Sequence, residues 1–383
     1  MRVAIVGPYP IDTQKLVGIE VAIVYLQQHL LQMPDVELHV LTCKEELAEP
    51  REMRQERLTV TYLPRGRWGR ITWHRREVQA MLSKLREIEP DVVHSHGTGL
   101  YAGAALASPY PAIVTVHAIA RHEARLVNTL SGKLRGSLDA AYESYVMRRA
   151  KHLMAISPYV ERVFAREFSG RSYLVENACD ESFFAVQRQP VTGRILMAGP
   201  VKVRKGILPL LKAMRLVLQE APEAHLRIAG STTIEAEYAQ ACQAYVREAG
   251  LGDAVTFLGH LPQEQVLEEY ARCAMVVLPS FEETAPMVIE QAMVVGAPSV
   301  STLAGGVPWM LEEGVTGLTL PVPPTLEGDP PALAAALLRL LRNPQEAEQM
   351  GRRAKEVAEK LFRAKHIAQQ TYEVYQQVIE ASR

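Results

Sequence analysis

The chain has 383 residues, 48% of them hydrophobic and 22% charged, with a formal charge of −1. That balance fits a globular chain long enough for two domains. It excludes wholesale disorder, collagen or coiled coil, and offers no global field for nucleic acid. Four scattered cysteines (Cys43, Cys179, Cys242, Cys273) form no C-x-x-C pair, so a zinc ribbon and a thioredoxin motif are both absent. Reduced thiols in a cytosol are expected. The opening MRVAIVGPYP reads as a strand and not as a signal peptide. No run approaches the ~18 apolar residues of a membrane span, so a cytoplasmic protein is expected.

In chain order, short β-branched runs alternate with longer helical stretches. Strands are predicted at 2–6, 37–42, 58–62, 92–94, 113–117, 153–156 and 172–175, with helices such as 19–32, 75–88 and 137–150 between them. Short apolar strands without strict alternation are buried on both faces, which means a parallel sheet with helices on each side. A polar, proline-containing stretch near 187–192 marks a domain boundary, giving domains 1–188 and 189–362. The pattern then restarts with strands at 195–198, 225–229, 255–258, 275–278, 299–301 and 318–320. Residues 321–331 carry five prolines and read as a loop, followed by helices 331–341, 344–362 and 363–382. The fold class is therefore α/β: two doubly wound, Rossmann-like domains, whose ligands belong beyond the carboxyl ends of the strands. Two such sets of strand ends facing each other would form an interdomain cleft.

Two segments at strand ends carry chemistry. In 279–298, PSFEETAPMVIEQAMVVGAP, a loop holds Glu282 and a helix beginning near Pro286 holds Glu290, with seven residues between the two acids. The helix start suits a phosphate, through its free N–H groups and its dipole. The two carboxylates read either as hydroxyl acceptors or as a helix cap and a solvated face residue. In 199–206, GPVKVRKG, Lys202, Arg204 and Lys205 precede a helix. This is a phosphate cradle or a solvated charged turn, and it is not a P-loop.

Together with ENACDESFF (176–184), DVVHSHG (91–97), TVHAI (115–119), AISPYV (155–160) and LAGGVPWMLEEGVTGLTL (303–320), these segments resemble the family 4 nucleotide-sugar glycosyltransferases of the two-domain B type. The resemblance runs in order over essentially the whole chain. It implies a retaining, metal-independent transfer of a sugar from a nucleotide-diphosphate donor, by default a UDP-sugar, with no cofactor. The same resemblance implies catalytic roles for Lys205 on the diphosphate, Glu282 on donor-sugar hydroxyls and His117 beside the transferred sugar. Glu290 would hold the ribose, backbone amides of Ala285, Pro286, Met287 and Val288 would assist at the helix start, and Gly18 would admit the diphosphate. The last helix, 363–383, would return to the first domain.

Three departures stand out. Pro200 replaces the arginine that usually starts the basic loop, and Arg204 is expected to stand in for it. Trp309 occupies a position where the family commonly has glutamate, and Val17 replaces the first glycine of a Gly-Gly turn. The absence of any D-x-D agrees with chemistry that Lys205 and the helix conduct without a metal. His94 and His96 could suggest metal ligands, but as alternate strand residues they are expected on opposite faces, so no metal is assigned. The stretch 65–76, RGRWGRITWHRR, mixes five arginines with two tryptophans. It fits either a peripheral contact with an anionic membrane or a loop whose tryptophans pack under the domain. The acceptor is expected to be a glycan, a lipid-linked sugar or a small molecule, and nucleic acid is not expected. Other readings are a nucleotide-sugar epimerase, a phosphorylase or a non-catalytic binding protein of the same fold.

Overall fold

The computed structural model describes residues 1–12, 18–66, 69, 72–127 and 129–382. The chain divides into two compact α/β units, Met1–Ala178 with Ala364–Arg383, and Cys179–Arg363.

The first unit is built on strands β1 (Arg2–Val6), β2 (Glu37–Lys44), β3 (Arg51–Gln55), β4 (Leu58–Pro64), β5 (Val92–His96), β6 (Ala112–Val116), β7 (His152–Ala155) and β8 (Arg171–Leu174). Their order is β3-β4-β2-β1-β5-β6-β7-β8, parallel except for β3, which runs antiparallel to β4 at the edge. Val3, Ala4, Ile5 and Val6 of β1 are all fully buried, as expected of a central strand covered on both faces. The second unit repeats the plan with β9 (Arg194–Ala198), β10 (His225–Ala229), β11 (Val255–Gly259), β12 (Met275–Leu278), β13 (Ser299–Thr302) and β14 (Leu318–Leu320). Their order is β11-β10-β9-β12-β13-β14, parallel throughout.

The expected boundary at 188/189 moves about ten residues toward the N-terminus. Residues 179–192 are tied to the second unit by backbone bonds: Cys179 N–H donates to Phe362 O (3.0 Å), Gln189 N–H to Ala271 O (2.8 Å) and Val191 N–H to Arg272 O (2.9 Å). Phe183 is buried edge-on against Tyr270, 5.6 Å between ring centres. The polar residues near 190 are thus the surface of an anchored segment.

The C-terminal helix Ala364–Ala381 packs on the first unit against the helix Ile19–Leu30, where the hydroxyl of Tyr372 donates to Asp35 at 2.6 Å. The helix expected from 137 begins seven residues earlier, at Leu130, with Thr129 capping Gly132 N–H at 3.2 Å. Its glycines do not break it. A Cβ on Gly136 would lie 2.5 Å from the Cβ of Ala124, so the glycine lets this helix pack closely on the short helix Ala120–Arg125. All four cysteines are buried and free. Burial pushes the thiols of Cys242 and Cys273 up to about 11, so they are inert packing groups.

Candidate active site

In the second unit the strand order reverses between β9 and β12. A doubly wound sheet opens a ligand crevice at such a reversal, beyond the carboxyl ends of the two strands. The loops leaving β9 and β12 carry the charges that the sequence singled out. They are bonded to each other, since Phe281 N–H donates to Arg204 O at 2.8 Å. Gly206 permits this approach. It takes φ +66°, and a Cβ there would lie 2.2 Å from Pro279 O. A third loop, after β13, joins them through Gly306 N–H, which donates to Glu283 O at 2.9 Å.

The centre of this junction is Glu283. Its Oε1 accepts from Lys205 Nζ (2.6 Å) and Ser280 Oγ (2.6 Å), and its Oε2 accepts from Arg204 Nη1 (3.0 Å). Arg204 Nη1 also donates to Glu282 O at 2.7 Å. Burial alone would push the Glu283 carboxyl up. The two cations and the hydrogen bonds outweigh burial and hold it at about 2. Burial pulls the Lys205 ammonium down, and Glu283 offsets that pull. Two cations against one carboxylate leave a net positive centre. Beside it begins the helix Met287–Val295, whose first turn offers backbone donors and a positive dipole end.

The sequence reading singled out Glu282 and missed Glu283. Glu282 is half-buried and meets Arg204 through its carbonyl, whereas the Glu283 carboxylate turns inward onto both cations. The available signal was a second register: counted from Glu283, the same seven-residue gap ends on Gln291, whose Oε1 accepts from the Tyr270 hydroxyl at 3.0 Å. Glu290 is 1% exposed, close enough to Cys179 and Tyr270 to help raise both of their pKa values. Among Ala285, Pro286, Met287 and Val288, Pro286 precedes the helix as its N-cap and has no N–H, so it cannot be one of the amide donors.

Gly18 and His117 belong to the first unit. Gly18 caps the helix Ile19–Leu30 at φ +54°, a conformation that favours glycine. The preceding Val17 lies outside the described residues. His117, half-buried, follows β6 and shares a 2.8 Å hydrogen bond between its Nε2 and His96 Nδ1. The expectation that His94 and His96 point to opposite faces is corrected. Residues two apart on a strand share a face, and the centres of these rings lie 4.2 Å apart, with the planes tilted by 37°. His94 is hydrogen-bonded to the Tyr375 hydroxyl (2.8 Å) and to Thr115 Oγ1 (2.6 Å). Burial holds the imidazoles in the neutral form, His94 at about 3 and His117 at about 4, with His96 also well below its usual value.

Within the basic stretch 65–76, residues Arg67, Trp68, Arg70 and Ile71 lie outside the described residues. Trp73 packs edge-on against Tyr142 at 5.1 Å. Among the described residues, no helix is long and apolar enough to cross a membrane.

Comparison with known proteins agrees with the two-unit α/β fold. Residues 17–183 match the family described as Glycosyltransferase Family 4, and residues 180–357 match Glycosyl transferases group 1. A glycogen synthase of Mycobacterium tuberculosis is 27% identical over 301 residues, covering 76% of this chain and 69% of that protein. A D-inositol 3-phosphate glycosyltransferase of Nocardioides sp. is 28% identical over 192 residues, or 47% of this chain and 41% of its own. Among solved structures, sucrose-phosphate synthase from Thermosynechococcus elongatus superposes with a TM-score of 0.84 at 21% identity, covering 100% of both chains. Anabaena Alr3699/HepE, solved with UDP and glucose, gives 0.73 at 18% identity over 97% of this chain and 99% of its own. At these identities the structures share a fold with this chain.

Proposed function

Because the chain belongs to the family 4 glycosyltransferases with the B-type two-domain fold, we propose that it moves a sugar from a nucleotide-diphosphate donor, UDP-linked by first choice, to an acceptor hydroxyl with retention of configuration. The observation that carries this reading is the junction of Arg204, Lys205 and Glu283 at a helix start and a topological switch point. UDP is the first choice because Alr3699/HepE was solved with it.

Glycosyl transfer passes through an oxocarbenium-like state while negative charge grows on the departing diphosphate. Fixed cations and helix N–H groups aimed at that charge stabilise the transition state more than the ground state. Arg204, half-buried, and Lys205, buried, supply the cations. Glu283 positions them, since its two oxygens hold the two side chains in register before a ligand arrives. Arg204 thereby answers the loss of an arginine at Pro200. Glu282, whose carbonyl Arg204 holds, presents its carboxylate to donor-sugar hydroxyls. The leaving phosphate helps to take the acceptor proton.

A thermal-shift screen against UDP, GDP, ADP and their sugar conjugates in EDTA tests the reading. Ligand at a hundred times its dissociation constant should add about 2.7 kcal/mol. A selective shift with UDP and its conjugates is expected. Shifts that appear only after a divalent metal is added, or with no nucleotide at all, would sink it.

A further inference from the structure

We propose that His96 is a positioning residue for His117: it donates a hydrogen bond to that ring, fixes the ring's own proton on Nδ1, and so makes His117 a hydrogen-bond donor to a sugar oxygen. That last role rests on the function proposed above, in which His117 would stand beside the moving sugar.

The two histidines of β5 differ in what they bond. His94, fully buried, uses both ring nitrogens, Nδ1 with the Tyr375 hydroxyl at 2.8 Å and Nε2 with Thr115 Oγ1 at 2.6 Å. It is a satisfied core group. His96, 3% exposed, uses only one. Its Nδ1 meets His117 Nε2 at 2.8 Å, while its Nε2 is buried without a hydrogen-bond partner among the described residues. An unpaired buried nitrogen carries a desolvation cost that an apolar side chain of similar shape would not. The ring is worth that cost for its one bond, to His117. The bond is well aligned. The two ring centres lie 5.1 Å apart and the planes differ by 18°. That is about the longest separation that a 2.8 Å contact between ring atoms allows, so nitrogen faces nitrogen end to end.

The direction of the bond follows from the unpaired nitrogen. Burial keeps both rings neutral, so each carries one N–H and one lone pair. If His117 donated, the His96 proton would sit on Nε2 as a buried N–H with no acceptor. If His96 donates, its Nε2 holds only a lone pair, and the His117 proton sits on Nδ1 of a half-buried ring. Buried N–H groups without an acceptor are rarer than acceptors left short of a donor, which selects the second arrangement. His117 then has no free lone pair. It can give a hydrogen bond to a sugar oxygen, and it cannot take the proton of the acceptor hydroxyl. That proton has to leave by another group, as it does when the departing phosphate takes it.

Nitrogen-15 NMR of the histidines in the full chain reads the tautomer without any turnover, with His117→Gln used to assign the signals. His117 should show a pyridine-like Nε2 and a pyrrole-like Nδ1. Turnover of UDP-sugars with candidate glycosides reads the role, at a temperature where near-ultraviolet circular dichroism shows each variant folded. His96→Leu should lower kcat about tenfold, the worth of one hydrogen bond, with KM for the donor within about threefold of wild type. His96→Asn, whose amide nitrogen can stand where Nδ1 stood, should recover most of that loss and keep the Nδ1–H form of His117, which His96→Leu should not. A pyrrole-like Nε2 on His117, equal kcat in wild type and His96→Leu, or equal losses in the leucine and asparagine variants would overturn the proposal. If no UDP-sugar is turned over, the transfer reading fails, and the NMR still decides which ring donates.

Discussion

Replacing Glu283 with glutamine should destabilise the second unit by about 3–5 kcal/mol, because it leaves a buried ammonium without its counter-charge. Lys205 is 6% exposed and makes a 2.6 Å bond to that carboxylate. Burial already pulls the lysine down, so loss of Glu283 should drive it toward the neutral amine and remove a cation from the diphosphate site. Turnover should fall with stability. The double variant Glu283→Gln/Lys205→Met removes both charges and should recover much of the stability and none of the turnover, since a buried pair replaced as a whole is often near neutral. Thermal unfolding and donor turnover of the three proteins check this. A Glu283→Gln protein that melts with the wild type and turns over normally would refute the central role of that carboxylate.

Acidification from pH 7.5 to pH 5 should destabilise the first unit through its buried histidines. His94 and His96 are buried, and burial lowers both pKa values in the folded chain, His94 to about 3. The unfolded chain binds protons near pH 6.5 and the folded chain does not. The stability from neutral imidazole is therefore complete above pH 6.5 and drains away as pH falls toward the folded values. Each buried histidine should cost about 1.4 kcal/mol per pH unit in that window, or about 2 kcal/mol by pH 5. His117 is half-buried and should add less, because solvent screens its charge. Glu283, held at about 2, loses its stabilising ionisation only at lower pH and leaves this window clear. Urea unfolding at pH 7.5 and pH 5 measures the effect. His96→Phe should flatten the dependence by about one histidine's share, and a slope identical to wild type would refute the assignment.

The alternation of buried strands and helices was legible because central strands carry unbroken apolar runs. Strands β1, β10, β12 and β14 fall where their residues predict them. β3 was missed for the opposite reason. Its REMRQ lies at the sheet edge, largely exposed, and no apolar signal marks a strand paired on one side only. The boundary was misplaced because polar residues near 190 look like a linker, while the bonds that anchor 179–192 come from residues 271, 272 and 362, far along the chain. The basic loop and the acidic segment were legible as chemistry. Which of two adjacent glutamates turns inward was not, since that depends on how the β9 and β12 loops meet at Gly206. The shared face of His94 and His96 was open to strand periodicity, which places residues two apart on one side of the sheet.

The most direct test follows UDP release from UDP-sugars in excess EDTA, by wild type and by Lys205→Ala, at a temperature where both are folded and with candidate glycosides present. Removing one preorganised donor from a developing anion typically costs about a hundredfold or more in rate. Metal-free release by the wild type, reduced about a hundredfold or more in the variant, is the result expected if Lys205 carries the leaving diphosphate. Release that requires a divalent metal, or that proceeds equally well without Lys205, would contradict it.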